Sequence, residues 1–399
     1  MSTDVDGHVE PGFEAVRDAF AQNFADGLEV GASYCVHVEG EKVVDLWGGS
    51  FDAGGSRPYG PDTLQIVYST TKGATAMCAN LLAERGELDV DAPVATYWPE
   101  FAQAGKDELP VLSLLTHQAG LPTVDRTLSA AQVQAWEPMI EALAAQAPYW
   151  EPGTAHGYHA VTYGHLVGEV VRRVTGRSLG TFFAEEFARP LGIEFFIGLP
   201  EELEDRVAPI IGGLIPEGTA DAPGLPAGFD FASTLVARAL NPGGAFFNSD
   251  FPNSRAWHAA EVPAANGITN AASLSRLYAG LIGPVEGGPP TAMLSAAQVE
   301  RARLPRTSGA DQVFLSLGLE MDQTIGLGFW TAGPFALFGA PGSFGHAGAG
   351  GSYGFADPDN RVAVGYTMNK MSTGITTDPR SRGLVQSTYA AIGVDAKYI

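Results

Sequence analysis

Cysteine is scarce in this chain of 399 residues: Cys35 and Cys78 are all it has. A single pair reads as two buried thiols rather than a disulfide framework, and no Cys/His group has the spacing of a zinc site. Positive charge is also short, with 23 Lys and Arg against 45 Asp and Glu and a net charge of −22. Such a chain repels nucleic acid and anionic membrane surfaces at long range, which leaves small or neutral partners. No uninterrupted apolar run is long enough to span a bilayer. The N-terminus, Met1 to Asp6, is acidic and lacks the basic-then-apolar pattern of a secretory signal. These absences place the chain in the cytoplasm, with neither nucleic acid nor membrane as a partner; they leave the oligomeric state open. With 45% apolar residues, the chain can bury a large core arranged as two lobes or two domains.

Lysine is rarer still, at five residues, and only Lys72 stands three residues after a serine, in Val67-Tyr68-Ser69-Thr70-Thr71-Lys72-Gly73. Residues three apart share a helix face, so the amine of Lys72 can sit beside the Ser69 hydroxyl and draw its proton away, while a helix N-terminus favours the developing negative charge. Alone this motif is weak. Its value depends on partners elsewhere in the chain.

Apolar spacing predicts a helix over 11–24 and a hairpin of Ala32 to His37 with Val43 to Trp47 around Glu39-Gly40-Glu41. A helix is expected from Thr71 to Glu87, and further helices over 129–145, 162–175 and 179–188. The Pro-, Gly- and acid-rich stretch 199–229 reads as loop draped over the site. Strands return at Phe344 to His346, Tyr353 to Ala356 and Val362 to Thr367, before a last helix over 380–392. Strands at both ends with helices between predict an α+β chain. Its discontinuous sheet domain, 1–95 and 256–399, closes around a mainly helical insertion, 96–255.

Three further segments complete the S-x-x-K motif. Leu114 to Pro122 reads Leu-Leu-Thr-His-Gln-Ala-Gly-Leu-Pro, Pro152-Gly153-Thr154 precedes Tyr158, and His346-Ala347-Gly348 forms an H-x-G. In this order, the set resembles the class C β-lactamase-like superfamily of penicillin-recognising serine hydrolases, and within it the family VIII carboxylesterases, over residues 30 to 390. The resemblance implies an antiparallel sheet flanked by helices and a reaction without metal or organic cofactor. It implies that Ser69 attacks a carbonyl, that Lys72 and Tyr158 move the proton, and that the N–H groups of Ser69 and Ala349 form an oxyanion hole. A nearby ammonium is expected to favour the phenolate of Tyr158.

Departures from the β-lactamase pattern point to substrate. Ala160 stands where those enzymes carry Asn, and His346-Ala347 where they carry Lys-Thr. Both changes remove polar handles for a carboxylate and disfavour uncharged esters least. His346 is expected to donate a hydrogen bond beside the site and Gly348 to border it, while Tyr68, Phe246, Trp257, Trp330 and Phe344 are candidates to line an apolar pocket. His117 reads as structural. Gly350-Gly351-Ser352-Tyr353-Gly354 fits the nucleophile elbow of α/β-hydrolases, but no helix pattern follows Ser352 and no histidine lies downstream, so it reads as a decoy. The function expected is a serine carboxylesterase acting on short-chain, small-molecule esters. The alternatives are β-lactam or D-amino-acid amide hydrolysis with the same residues, acyl transfer to an acceptor other than water, or a silent ligand-binding relative.

Overall fold

The computed structural model describes residues 5–213, 230–244, 251–372 and 378–399. Among them, seven antiparallel strands form the main sheet: β1 (Val5–Val9), β2 (Gly31–Val38), β3 (Glu41–Gly49), β7 (Trp330–Thr331), β8 (Phe344–Ala347), β9 (Tyr353–Asp357) and β10 (Val362–Met368). Their order is β1-β3-β2-β10-β9-β8-β7. Strands from the two ends of the chain meet at the β2–β10 pair, where Val364 faces Val36 and Tyr366 faces Tyr34. A second sheet joins the two-residue strands β4 (Gln65–Ile66), β6 (Ile268–Thr269) and β5 (Phe195–Phe196).

Alternation along β10 assigns its two faces. Val362, Val364, Tyr366 and Met368 share one apolar cluster with Val16, Phe20 and Phe24 of α1 (Glu14–Ala25) and with Leu384 and Tyr389 of the C-terminal helix Pro379–Ala391. Ala363 and Gly365 face the helix Ala271–Ile282 on the other side. A Cβ at Gly365 would collide with the Ala271 carbonyl, so glycine lets that helix lie directly on the sheet.

The helix α2 (Thr71–Glu84) is buried at every position from Thr71 to Leu82. Its run of Ala74, Ala76, Met77, Ala79, Leu81 and Leu82 favours helix and suits a helix enclosed on all sides. It packs against the helix Thr162–Thr175, whose bounds match the sequence pattern.

Elsewhere the structure corrects the expectation. The segment 129–145 is two helices, Ala130–Gln134 and Glu137–Ala145, broken at Trp136, whose φ is 66°. Pro138, in the first turn of the second helix, cannot continue the first, and the Trp136 indole at the break donates to the buried Glu169 at 2.9 Å. The helix expected over 179–188 is helical at Leu179–Phe183 and widens to a π-turn over Ala184–Ala188. The strands β1, β5 and β6 and the helix Ala271–Ile282 were not anticipated. In the expected loop 199–229, Glu201–Arg206 forms a 3₁₀ turn, and residues 214–229 lie outside the described part.

Candidate active site

Ser69 lies in a single 3₁₀ turn, Tyr68–Thr70, that runs straight into α2. The turn is tight: Tyr68 takes a φ of 44°, unusual for an aromatic residue. One helical turn on, Lys72 Nζ is 3.0 Å from Ser69 Oγ, 2.7 Å from the Ala160 carbonyl and 2.9 Å from the Ala264 carbonyl. Lys72 has 0% exposure, and loss of water holds its pKa well below the usual lysine value. A neutral amine has two N–H groups and one lone pair. In that form the two carbonyls can take both N–H groups, and the lone pair is free to turn toward the Ser69 hydroxyl.

Tyr158 reaches the same point from the loop before Thr162–Thr175 and hydrogen-bonds with Ser69. Its ring centre is 4.7 Å from Lys72 Nζ. The expected pull toward phenolate is not found: burial pushes the phenol up, and Lys72, itself driven toward neutrality, supplies no counter-effect. Tyr158 is therefore a neutral hydroxyl that can donate.

Two histidines hold that loop. His117 Nδ1 accepts the His159 N–H at 3.0 Å and its carbonyl accepts the Gly157 N–H at 3.0 Å. His159 Nε2 accepts the Leu121 N–H at 2.9 Å. The Leu-Leu-Thr-His segment is thus a brace for Tyr158. Asp311, which the sequence reading missed, adds a second brace. Its Oδ1 caps the turn Gln312–Leu315 through the N–H groups of Val313 and Phe314 at 2.8 and 3.1 Å, and the carboxylate is close enough to the Tyr158 backbone to interact with its N–H. Burial raises this carboxyl to about 6. Phe314 in turn stacks on Tyr158 with ring centres 6.2 Å apart. An Asp just before an apolar pair is a cap signal that was available in the sequence.

The H-x-G strand end closes the site. A Cβ at Gly348 would strike the Val67 carbonyl, so glycine allows the end of β8 to press against the turn of Ser69. Ser352 has 0% exposure; its Oγ donates to the Val67 carbonyl at 2.9 Å and lies 3.1 Å from Thr70 Oγ1. It leads into strand β9, and it ties the turn of Ser69 to the turn Ala349–Gly351. Among the described residues, the N–H groups of Ser69 and Ala349 have no hydrogen-bond partner within the chain.

His346 differs from expectation. Nδ1–H donates to the Ala347 carbonyl at 2.7 Å, and Nε2, buried and without a partner, is an acceptor. Burial holds its pKa well down. Its ring lies 4.1 Å from that of Trp330 and 6.3 Å from that of Tyr158.

Of the pocket candidates, Tyr68, Trp257 and Trp330 belong to the apolar cluster that contains Tyr158. Trp257 packs on Phe251 at 4.4 Å between ring centres. Phe344 does not join them. It lies about 6.6 Å along β8 from His346, and its ring packs on Phe329 at 5.0 Å within the core around α2. Phe246 lies outside the described residues. Ala264, whose carbonyl holds Lys72, carried no sequence signal, because any residue supplies that group.

A family model described as Beta-lactamase matches residues 18–386. The chain belongs to the beta-lactamase family. Within this family it is similar to a crystal structure of a family VIII carboxylesterase, at 42% identity over 97% of this chain and 100% of that one, with a TM-score of 0.85. A penicillin-binding protein homolog from Caulobacter crescentus is 38% identical over 97% and 100% of the two chains, with a TM-score of 0.86. The esterase/beta-lactamase LipL of Mycobacterium tuberculosis is 35% identical over 70% of this chain, and the match spans 66% of that protein's length. The antiparallel sheet flanked by helices is the family's fold, as the motifs implied. Among the described residues, no helix is long and apolar enough to cross a membrane.

Proposed function

We propose that this chain is a cytoplasmic serine carboxylesterase that hydrolyses short-chain carboxylic esters through an acyl-enzyme on Ser69. The observation that carries the reading is the buried Lys72. Its Nζ lies on the Ala160 and Ala264 carbonyls and 3.0 Å from Ser69 Oγ. In this mechanism Lys72 takes the proton of Ser69 as Oγ attacks the ester carbonyl. The tetrahedral oxyanion is held by the N–H groups of Ser69 and Ala349. As the C–O bond breaks, Tyr158 donates its proton to the leaving alkoxide and regains one from Lys72. A water then attacks the acyl-enzyme by the same route in reverse, with Lys72 and Tyr158 returning the proton to Ser69. The esterases among the chain's relatives support this reading.

The state of His346 supports uncharged esters as substrate. With Nδ1–H engaged, it presents an acceptor lone pair, which repels a carboxylate, and Ala160 and Ala347 offer no polar side chain to compensate. Short-chain p-nitrophenyl esters are therefore expected to show a kcat/KM at least about 100-fold above that for nitrocefin, or about 2.7 kcal/mol of transition-state preference. His346→Lys should narrow the gap. A wild-type enzyme that hydrolyses nitrocefin faster than every ester tested would move the reading to a β-lactamase, the activity that shares the name of the mycobacterial relative.

Tyr158→Phe removes one hydroxyl from a well-packed ring and should leave the circular dichroism spectrum unchanged. Ester turnover is expected to fall by about 10² to 10⁴, the usual contribution of a positioned proton donor. A loss below about threefold would leave Tyr158 a packing residue.

A further inference from the structure

The turn Ala349–Gly351 has little to hold it in place by itself. Gly350 has a φ of 83° and Gly351 one of 122°, conformations that glycine reaches freely and equally leaves freely. Within the turn, the Gly348 N–H donates to the Ser352 carbonyl at 2.7 Å and the Gly351 N–H to the Gly348 carbonyl at 3.1 Å. The Gly350 carbonyl accepts from the Ser372 N–H at 3.0 Å and from Nη2 of Arg380.

Arg380 belongs to the C-terminal helix, remote in sequence from every motif of the site, and is only 2% exposed. Its guanidinium is fully engaged. Nη1 donates to the Lys370 carbonyl at 2.7 Å and to Glu29 at 3.2 Å, and Nε donates to Asp378 at 2.9 Å. Tyr366 on β10 donates to the second oxygen of Glu29. A Cβ at Gly351 would run into Asp378 and Arg380, so the turn rests directly on the ion cluster. A buried ion cluster adds little net stability compared with apolar residues of the same volume. What a guanidinium offers here is direction: a planar fork with fixed donor angles, set by two carboxylates and aimed at the carbonyls of Lys370 and Gly350.

We propose that Arg380 is a positioning residue for the oxyanion hole: clamped by Asp378 and Glu29, it grips the Gly350 carbonyl and fixes the direction of the Ala349 N–H. This rests on the reading of Ala349 as an oxyanion donor. A donor displaced by about 1 Å loses most of its effect on the transition state, with rate losses on the order of 10²-fold, while substrate binding in the apolar pocket is untouched.

The test compares esters with the matching thionoesters, in which sulfur replaces the carbonyl oxygen and accepts hydrogen bonds poorly. Wild-type enzyme should favour the oxo substrate strongly. Arg380→Met should lose about 10- to 100-fold in kcat on oxo esters with KM within about threefold, and the oxo-to-thiono ratio should fall by a similar factor. Glu29→Gln, which keeps the guanidinium but loosens its clamp, should shift the ratio in the same direction by a smaller factor. If Arg380→Met does not fold, Arg380→Lys, which keeps the charge and loses the fork, decides by the same ratio. An unchanged ratio in the folded Arg380 variant overturns the proposal, whether or not kcat falls equally on both substrates. A wild-type enzyme without oxo preference, or without esterase activity, refutes the parent reading instead and is seen before any variant is made.

Discussion

Ser69→Ala is expected to abolish ester turnover and labelling by a fluorophosphonate, while Ser352→Ala leaves the label on Ser69. Both serines sit in sequence contexts used by serine hydrolases, and their surroundings separate them. Ser69 Oγ faces a buried amine at 3.0 Å. Ser352 Oγ instead donates to the Val67 carbonyl and has no base beside it. A serine hydroxyl without a base is a weak nucleophile, so residual activity in Ser69→Ala should lie at the background of the oxyanion hole and pocket alone. The site of modification is read by mass spectrometry. A label on Ser352 would remove Ser69 from the mechanism.

Lys72 should be nearly as costly to replace. Lys72→Ala and Lys72→Arg are both expected to lose about 10⁴-fold or more in kcat/KM, because members of a unit acting together cost nearly as much singly as combined. The arginine variant is the more telling. It keeps a cation beside Ser69 but cannot give up its proton, so a role as fixed charge predicts activity and a role as base predicts none. The pH profile carries the same information with a definite sign. The active form is the neutral amine, so kcat/KM rises with pH through the pKa of Lys72. Burial holds that pKa well below the usual lysine value, and the plateau should be reached well below pH 10. The rising limb should vanish in Lys72→Arg. An arginine variant within tenfold of wild type would show that the base lies elsewhere.

Some features were legible because they are local. The three-residue step from Ser69 to Lys72 fixes a shared face once a helix forms there, and the apolar pattern after Thr71 makes that helix. The bounds Thr162–Thr175 followed from spacing alone. The break at Trp136 carried a local signal that the apolar spacing overrode: Pro138 cannot continue a helix from 134 and instead sits in the first turn of Glu137–Ala145. Strands such as Phe195–Phe196 are too short to show a period. Phe344 looked like a pocket residue because an aromatic next to a site motif carries no record of which core it enters.

What the sequence by itself determined is the chemistry available: a serine with an amine one turn on, a tyrosine after a Pro-Gly turn, an H-x-G without a cation, and an acidic chain whose cysteines and histidines lack zinc spacing. Tertiary structure alone decided the burial of these groups and the direction of their hydrogen bonds. Enclosure of α2 strips water from Lys72, and the carbonyls of Ala160 and Ala264 orient what remains. The Ala347 carbonyl turns His346 from donor into acceptor. Arg380, from the last helix, reaches the turn of Ala349. A side chain's type is written in the chain, but its pKa and its hydrogen-bond direction depend on solvent exclusion and on backbone groups brought from distant segments, which only the folded chain supplies.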